Sequence, residues 1–211
     1  MIDLSRFIAA QLGRPSGLFG RVVMTRVLDY GNAEMIDACI AALELRRDDT
    51  YLDVGFGGGG ALERAARRVD DGHVYGVDFS PDVVVAGQRR FRREIAAGRM
   101  TLLTADIGEL PLRDALVSAV STINTIYFWP DPATAARSIR RVLSPGGRLA
   151  IGFTGADKMR QWSEISQHGF RLWTGEQVRE LLEGAGFDAV EVQVQAGRRT
   201  KGDFVAIARR P

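Results

Sequence analysis

The sequence is poor in several residue types. Its 211 residues hold one cysteine, Cys39, two histidines, His73 and His168, and two lysines, Lys158 and Lys201. A lone cysteine excludes an internal disulfide and any cysteine-rich metal site, and no metal is expected. Two histidines leave little choice of general base. No apolar run approaches the ~18 residues that a membrane span requires. The N-terminal MIDLSRFIAAQLG is broken by Asp3 and Arg6 and lacks the form of a secretory signal. A cytoplasmic protein without a membrane span is the expectation.

The chain is otherwise ordinary for a soluble globular protein, with 45% hydrophobic and 26% charged residues, enough for one domain with a full core. Net charge is +2, and the basic residues are nearly all arginine. The densest run, Arg89, Arg90, Arg92 and Arg93, spreads around a helix beside Glu94. That pattern reads as a solvated helix face rather than a nucleic-acid surface.

From Thr50 onward β-rich runs alternate with helical patterns, the signature of βαβ units and a mainly parallel sheet. Strands are predicted near 50–54, 73–78, 100–104, 116–124 and 148–153, with helices over about 58–69, 81–97 and 132–143. Ser80 and Pro81 suit the cap and first position of the second helix. The third is stopped by Ser144 to Gly147. Thr174 to Gln177 forms a capping box opening a helix over 175–183. The last two strands, AVEVQVQ and DFVAIARR, are joined by a link too short for a helical crossover, so they pair antiparallel. The expected fold is therefore an α/β, Rossmann-like, doubly wound seven-stranded sheet, mostly parallel with a C-terminal antiparallel hairpin. Residues 1–47 carry three helical apolar stripes, the last being Met35, Ile36, Cys39, Ile40 and Leu43, and form a helical cap before a core of 48–211. Cys39 on that stripe reads as a small buried hydrophobe.

The segment YLDVGFGGGG, Tyr51 to Gly60, follows the first strand and fits G-x-G-x-x-G at Gly55, Gly57 and Gly60. Asp78 ends the next strand, where an acidic residue accepts hydrogen bonds from ribose hydroxyls. Both features serve dinucleotide and S-adenosylmethionine sites alike. Asp53 separates the two classes, because a carboxylate beside the loop repels a pyrophosphate but attracts an ammonium and a sulfonium. Asp106, ending the third strand, can accept from an adenine amino group. The terminal reversed hairpin points the same way.

On these motifs the chain resembles class I S-adenosylmethionine-dependent methyltransferases, in the style of the small-molecule enzymes of ubiquinone and menaquinone biosynthesis. The resemblance spans roughly Leu45 to Arg210 and rests on LDVGFGGG, VYGVDFSP, TADIGELPL, INTIYFWPDP, RRVLSPGGRLAI and LLEGAGF. It implies that Asp53 and Gly55 lie beside the methionine moiety, with Gly57 and Gly59 allowing close backbone approach. It implies Asp78 on the ribose, Phe79 near the adenine, Asp106 and Ile107 holding the base, and Asn124 facing the methionine end or the acceptor.

Methyl transfer from a sulfonium is an in-line displacement that alignment and desolvation can drive without a dedicated base. If a base is used, His168 and Tyr127 are the candidates, His73 being placed in an exposed turn. Phe19, Tyr30, Tyr127, Trp129 and Trp162 are candidates for an apolar pocket closed by the N-terminal helices. No N-P-P-Y or D-P-P-Y tetrapeptide follows the fourth strand, which argues against adenine-N6 methylation of nucleic acid. The leading reading is methylation of a small apolar or aromatic metabolite. The alternatives are a methyltransferase acting on RNA or protein, and a binding module that transfers nothing. The acceptor atom, and whether the chain is a monomer or a homo-oligomer, stay open.

Overall fold

Both faces of the predicted strands are apolar, and the chain covers both with helices. The structure, a computed structural model, describes residues 32–161, 171–197 and 200–211. Its strands are β1 (Thr50–Val54), β2 (His73–Asp78), β3 (Met100–Thr104), β4 (Val117–Ile123), β5 (Leu143–Thr154), β6 (Asp188–Val194) and β7 (Asp203–Arg209). They form one seven-stranded sheet in the order β3-β2-β1-β4-β5-β7-β6. Only β7 runs against its neighbours, pairing antiparallel with both β5 and β6. The strand order reverses between β1 and β4, and the crevice beyond their C-terminal ends is where open α/β sheets bind ligands.

Side chains alternate across β1 as a pleated strand requires. Leu52 and Val54 enter the core beneath α5 (Pro132–Val142) and α7 (Gly175–Gly184), with Ile139, Val142, Val178 and Leu182. Tyr51 joins the opposite core, built with α1 (Ala33–Ala42), α2 (Gly60–Ala66) and α3 (Pro81–Arg90). Helix α1 lies close on the sheet because β5 offers Gly152 there. A β-carbon at that glycine would stand 2.7 Å from Cys39 Sγ. Cys39 is buried as expected, and that burial, reinforced by Asp53, pushes its thiol pKa well up. Its place is in packing.

The helix expected over 81–97 is two helices, α3 and α4 (Arg92–Ala96), hinged at Phe91. The reason is tertiary: Phe91 leaves helical geometry and turns its ring into the core against the glycine loop. Strand β5 begins at Leu143 rather than Arg148, running through the Ser144–Gly147 turn with a register shift against β4. The Thr174–Gln177 capping box is formed, with both reciprocal bonds present. A short helix, α6 (Ala156–Arg160), follows β5.

At the end of the sheet opposite the glycine loop, a polar knot joins three strands. Asp49 accepts from the Arg46 N–H at 2.7 Å, from Ser118 Oγ at 2.6 Å and from Arg148 Nη2 at 2.5 Å. Arg148 also donates to the Glu44 carbonyl. Burial alone would raise the Asp49 pKa, but these donors together outweigh it and hold the carboxyl below its usual range. Removing the charge strands Arg148, so Asp49→Asn should cost about 3 kcal/mol near neutral pH. A lowered carboxyl pKa contributes stability that is complete above the ordinary carboxylate range and is lost as pH falls through the lowered value. Urea denaturation at several pH values should therefore show the gap between wild type and Asp49→Asn closing in acid. A gap independent of pH would refute the assignment.

Candidate active site

The site is built on the turn that follows β1. Its backbone needs left-handed residues at Gly55, Gly57 and Gly59, with φ of +74°, +51° and +84°. The three glycines serve different neighbours. A β-carbon on Gly55 would lie 2.5 Å from the Thr125 methyl, and one on Gly59 would lie 2.6 Å from the Phe91 ring. One on Gly57 would meet no described atom within 4 Å. Gly59 is thus required by its own protein, whereas the side of Gly57 is open. Arg90 grips the turn from α3, donating to the Gly58 carbonyl and pairing with Glu63 at 2.7 Å.

Asp78 fastens this turn to β2. Its Oδ2 accepts from the Gly57 N–H at 3.1 Å and its Oδ1 from the Ser80 N–H at 3.0 Å. Ser80 in turn caps α3, as expected, accepting from the Val83 N–H. The Gly55 N–H donates to the Val77 carbonyl at 2.7 Å. Asp78 is only 6% exposed, and burial raises its pKa against the lowering effect of the two N–H donors. Phe79 beside it is 46% exposed, an aromatic face left outside the core at the mouth of the crevice.

Asp53 stands on the α1 side of β1, 3% exposed. Its register partner on β4 is Ser121, which donates to Asp53 Oδ1 at 2.9 Å, and Ser121 Oγ lies 2.5 Å from the Tyr51 hydroxyl. Beyond β3, Asp106 caps a turn of 3-10 helix (Ile107–Glu109), accepting from the Gly108 N–H at 2.7 Å. Ile107 packs partly against the core. Asn124 follows β4 with φ +56°, a left-handed position that asparagine tolerates. Its side chain donates to Asn32 Oδ1 at 2.9 Å and accepts from the Tyr127 hydroxyl at 3.0 Å.

Three acidic residues thus stand at three neighbouring strand ends around one glycine turn. Comparison with known proteins identifies the family. Residues 52–151 match the family described as "Methyltransferase domain". The chain is 28% identical over 154 residues to an uncharacterized methyltransferase of Bacillus subtilis, covering 73% of this chain and 80% of that one. It is 28% identical over 130 residues to the ubiquinone/menaquinone biosynthesis C-methyltransferase of Geotalea daltonii, covering 61% of this chain and spanning only 55% of that protein. The methyltransferase of Haloferax volcanii solved in complex with the Trm112 activator shares the fold, with a TM-score of 0.78 at 20% identity, covering 100% of this chain and 99% of that one.

The chain belongs to the class I S-adenosylmethionine-dependent methyltransferases. Its cofactor is S-adenosylmethionine.

Several side chains of this methyltransferase could not be ranked from sequence. Tyr127 is buried, its oxygen accepting from the Thr154 N–H while its hydroxyl donates to Asn124. Burial pushes its pKa up, so it stays protonated. Trp129 is buried too, with Nε1 donating to Thr125 Oγ1 at 3.1 Å. Both tie the end of β4 to its surroundings. His73 begins β2, at the far end of the sheet from the site, and its Nε2 meets Thr101 Oγ1 at 2.9 Å. Phe19, Tyr30, Trp162 and His168 lie outside the described residues. Ser121, Tyr51, Thr125 and Asn32 contribute geometry that the motifs did not announce. A hydroxyl or phenol in mid-strand, as in VSAVSTI and TYLDV, was the available signal.

The glycines give a test. Gly59→Ala combines a forbidden φ with a clash against a core ring and should cost about 2–3 kcal/mol. Gly57→Ala should cost about 1 kcal/mol yet weaken S-adenosylmethionine binding more than tenfold, about 1.4 kcal/mol or more. Thermal unfolding without cofactor, paired with calorimetric titration, measures both. The reverse ranking would overturn the division of roles.

Proposed function

We propose that the enzyme transfers the methyl group of S-adenosylmethionine to a small apolar or aromatic metabolite. In this reading Asp53 and Gly55 lie beside the methionine moiety, and Gly57 and Gly59 border the cofactor. Asp78 accepts from the ribose hydroxyls and Phe79 covers the adenine, while Asp106 and Ile107 hold its edge. Bound S-adenosylmethionine supplies a methyl group already activated on a sulfonium. The protein's share is to fix the donor, align the acceptor and exclude water.

One observation carries the acceptor side of the proposal. Asn32, at the start of α1, is bonded to Asn124 at the end of β4. Residues 1–31 therefore join the described chain at the mouth of the crevice. That join supports the reading of 1–47 as a cap on a core of 48–211, its last helix, α1, being packed on the sheet, with Phe19 and Tyr30 assigned to the acceptor side from sequence. The Geotalea relative, named for quinone biosynthesis, supports an acceptor of that kind. No helix among the described residues is long and apolar enough to cross a membrane, which fits a cytoplasmic enzyme meeting a dissolved metabolite.

A second reading, methylation of RNA or protein, draws on the Haloferax structure, which was solved with an activator protein bound. The two separate cleanly. Incubation with labelled S-adenosylmethionine and a fractionated metabolite extract should place label on a small molecule found by mass spectrometry. Removal of residues 1–30 should then abolish turnover while sparing cofactor binding. Label only on macromolecules, or steep loss of activity with added salt and competing nucleic acid, would favour the second reading instead.

A further inference from the structure

The buried polar groups beneath the cofactor turn form a chain with a fixed direction. Asp53, when ionised, can only accept. Ser121 stands 2.9 Å from Asp53 Oδ1 and must give its single proton there. The contact of 2.5 Å between Ser121 Oγ and the Tyr51 hydroxyl then has one solution, in which Tyr51 donates to Ser121. Tyr51 and Ser121 are fully buried, and Asp53 nearly so. The sheet register places all three: Tyr51 and Asp53 share a face of β1, and Ser121 pairs with Asp53 across β4.

We infer that Tyr51 and Ser121 are positioning residues for the cofactor, a buried donor chain that orients the Asp53 carboxylate for the ammonium of the methionine moiety. The inference rests on the proposed place of Asp53 beside that moiety. Its physical content is that each donor polarises the next in a medium of low dielectric, so the chain fixes which way the carboxylate faces. Asp53 acts electrostatically on two titratable neighbours, Tyr51 on β1 and Cys39 on α1. Burial raises the pKa of both, so both stay neutral across the working range and neither competes with Asp53 for charge.

Two ligands make the test. S-adenosylhomocysteine carries the ammonium, and 5′-methylthioadenosine keeps the nucleoside but lacks it. In Ser121→Ala the Kd for S-adenosylhomocysteine should rise about tenfold, and in Tyr51→Phe about threefold, from loss of charge-assisted hydrogen bonding. Binding of 5′-methylthioadenosine should be unchanged in both. The acid limb of S-adenosylhomocysteine binding should move to higher pH in each variant, because a carboxylate stripped of donors takes up a proton more readily. Asp78 contributes equally to that limb in wild type and variants, so the difference belongs to Asp53. Ser121→Thr, which keeps the hydroxyl, should restore the wild-type limb. Equal weakening of both ligands would mark a merely structural role and overturn the inference. So would unchanged binding in Tyr51→Phe and Ser121→Ala while Asp53→Asn loses affinity. If Asp53→Asn itself binds S-adenosylhomocysteine as wild type does, the placement of Asp53 falls too.

Discussion

The site depends on one carboxylate accepting two backbone hydrogens. Asp78 takes the Gly57 N–H on one oxygen and the Ser80 N–H on the other, so a single side chain holds the turn after β1 and the start of α3 in fixed relation. Without it, a turn of three left-handed glycines would be among the least ordered parts of the chain, since glycine loses the most conformational freedom on folding. Burying the charge is unfavourable, and the raised pKa reflects that. The same burial leaves the carboxylate strongly disposed toward further donors. The turn is thereby organised before any ligand arrives, which lowers the entropy lost on binding.

The two sides of the crevice differ in kind. The side at β1, β2 and β3 is made of backbone and short acidic side chains at or just beyond strand ends. The side beyond β4 is held by side-chain bonds, two across distant segments, Asn124 to Asn32 and Tyr127 to Thr154, and one local, Trp129 to Thr125. In the proposed reading the first side holds the cofactor and the second faces the acceptor. Fold-level likeness therefore says much about the donor and little about the acceptor.

Much of this was legible in the chain. Alternating apolar runs marked the strands, and Ser80-Pro81 and Thr174-Gln177 marked helix starts, because those signals are local. The glycine turn and the acids at 53, 78 and 106 were visible for the same reason. What sequence could not show was contact between distant residues. Ser121 serves Asp53 only through the register of β1 and β4, 68 residues apart. Phe91 breaks a helix that its neighbours favour because its ring is needed beneath Gly59. Tyr127 and Trp129 are buried and tied to Thr154, Asn124 and Thr125, contacts that an aromatic run does not announce, since it reads alike as pocket wall or as packing.

The position of β7 carries a consequence for how the molecule is made. It is the last of the seven strands to leave the ribosome, yet it lies inside the sheet, between β5 and β6. Until it arrives, β5 waits with the backbone groups of Arg148 to Thr154 unpaired along one edge, and β6 has no strand to lie against. From the completion of β5 until β7 emerges, about 50 residues later, the nascent chain therefore carries an open, apolar sheet edge. Such an edge is a template for the wrong partner. Insertion of β7 both completes the sheet and removes that hazard in a single late step.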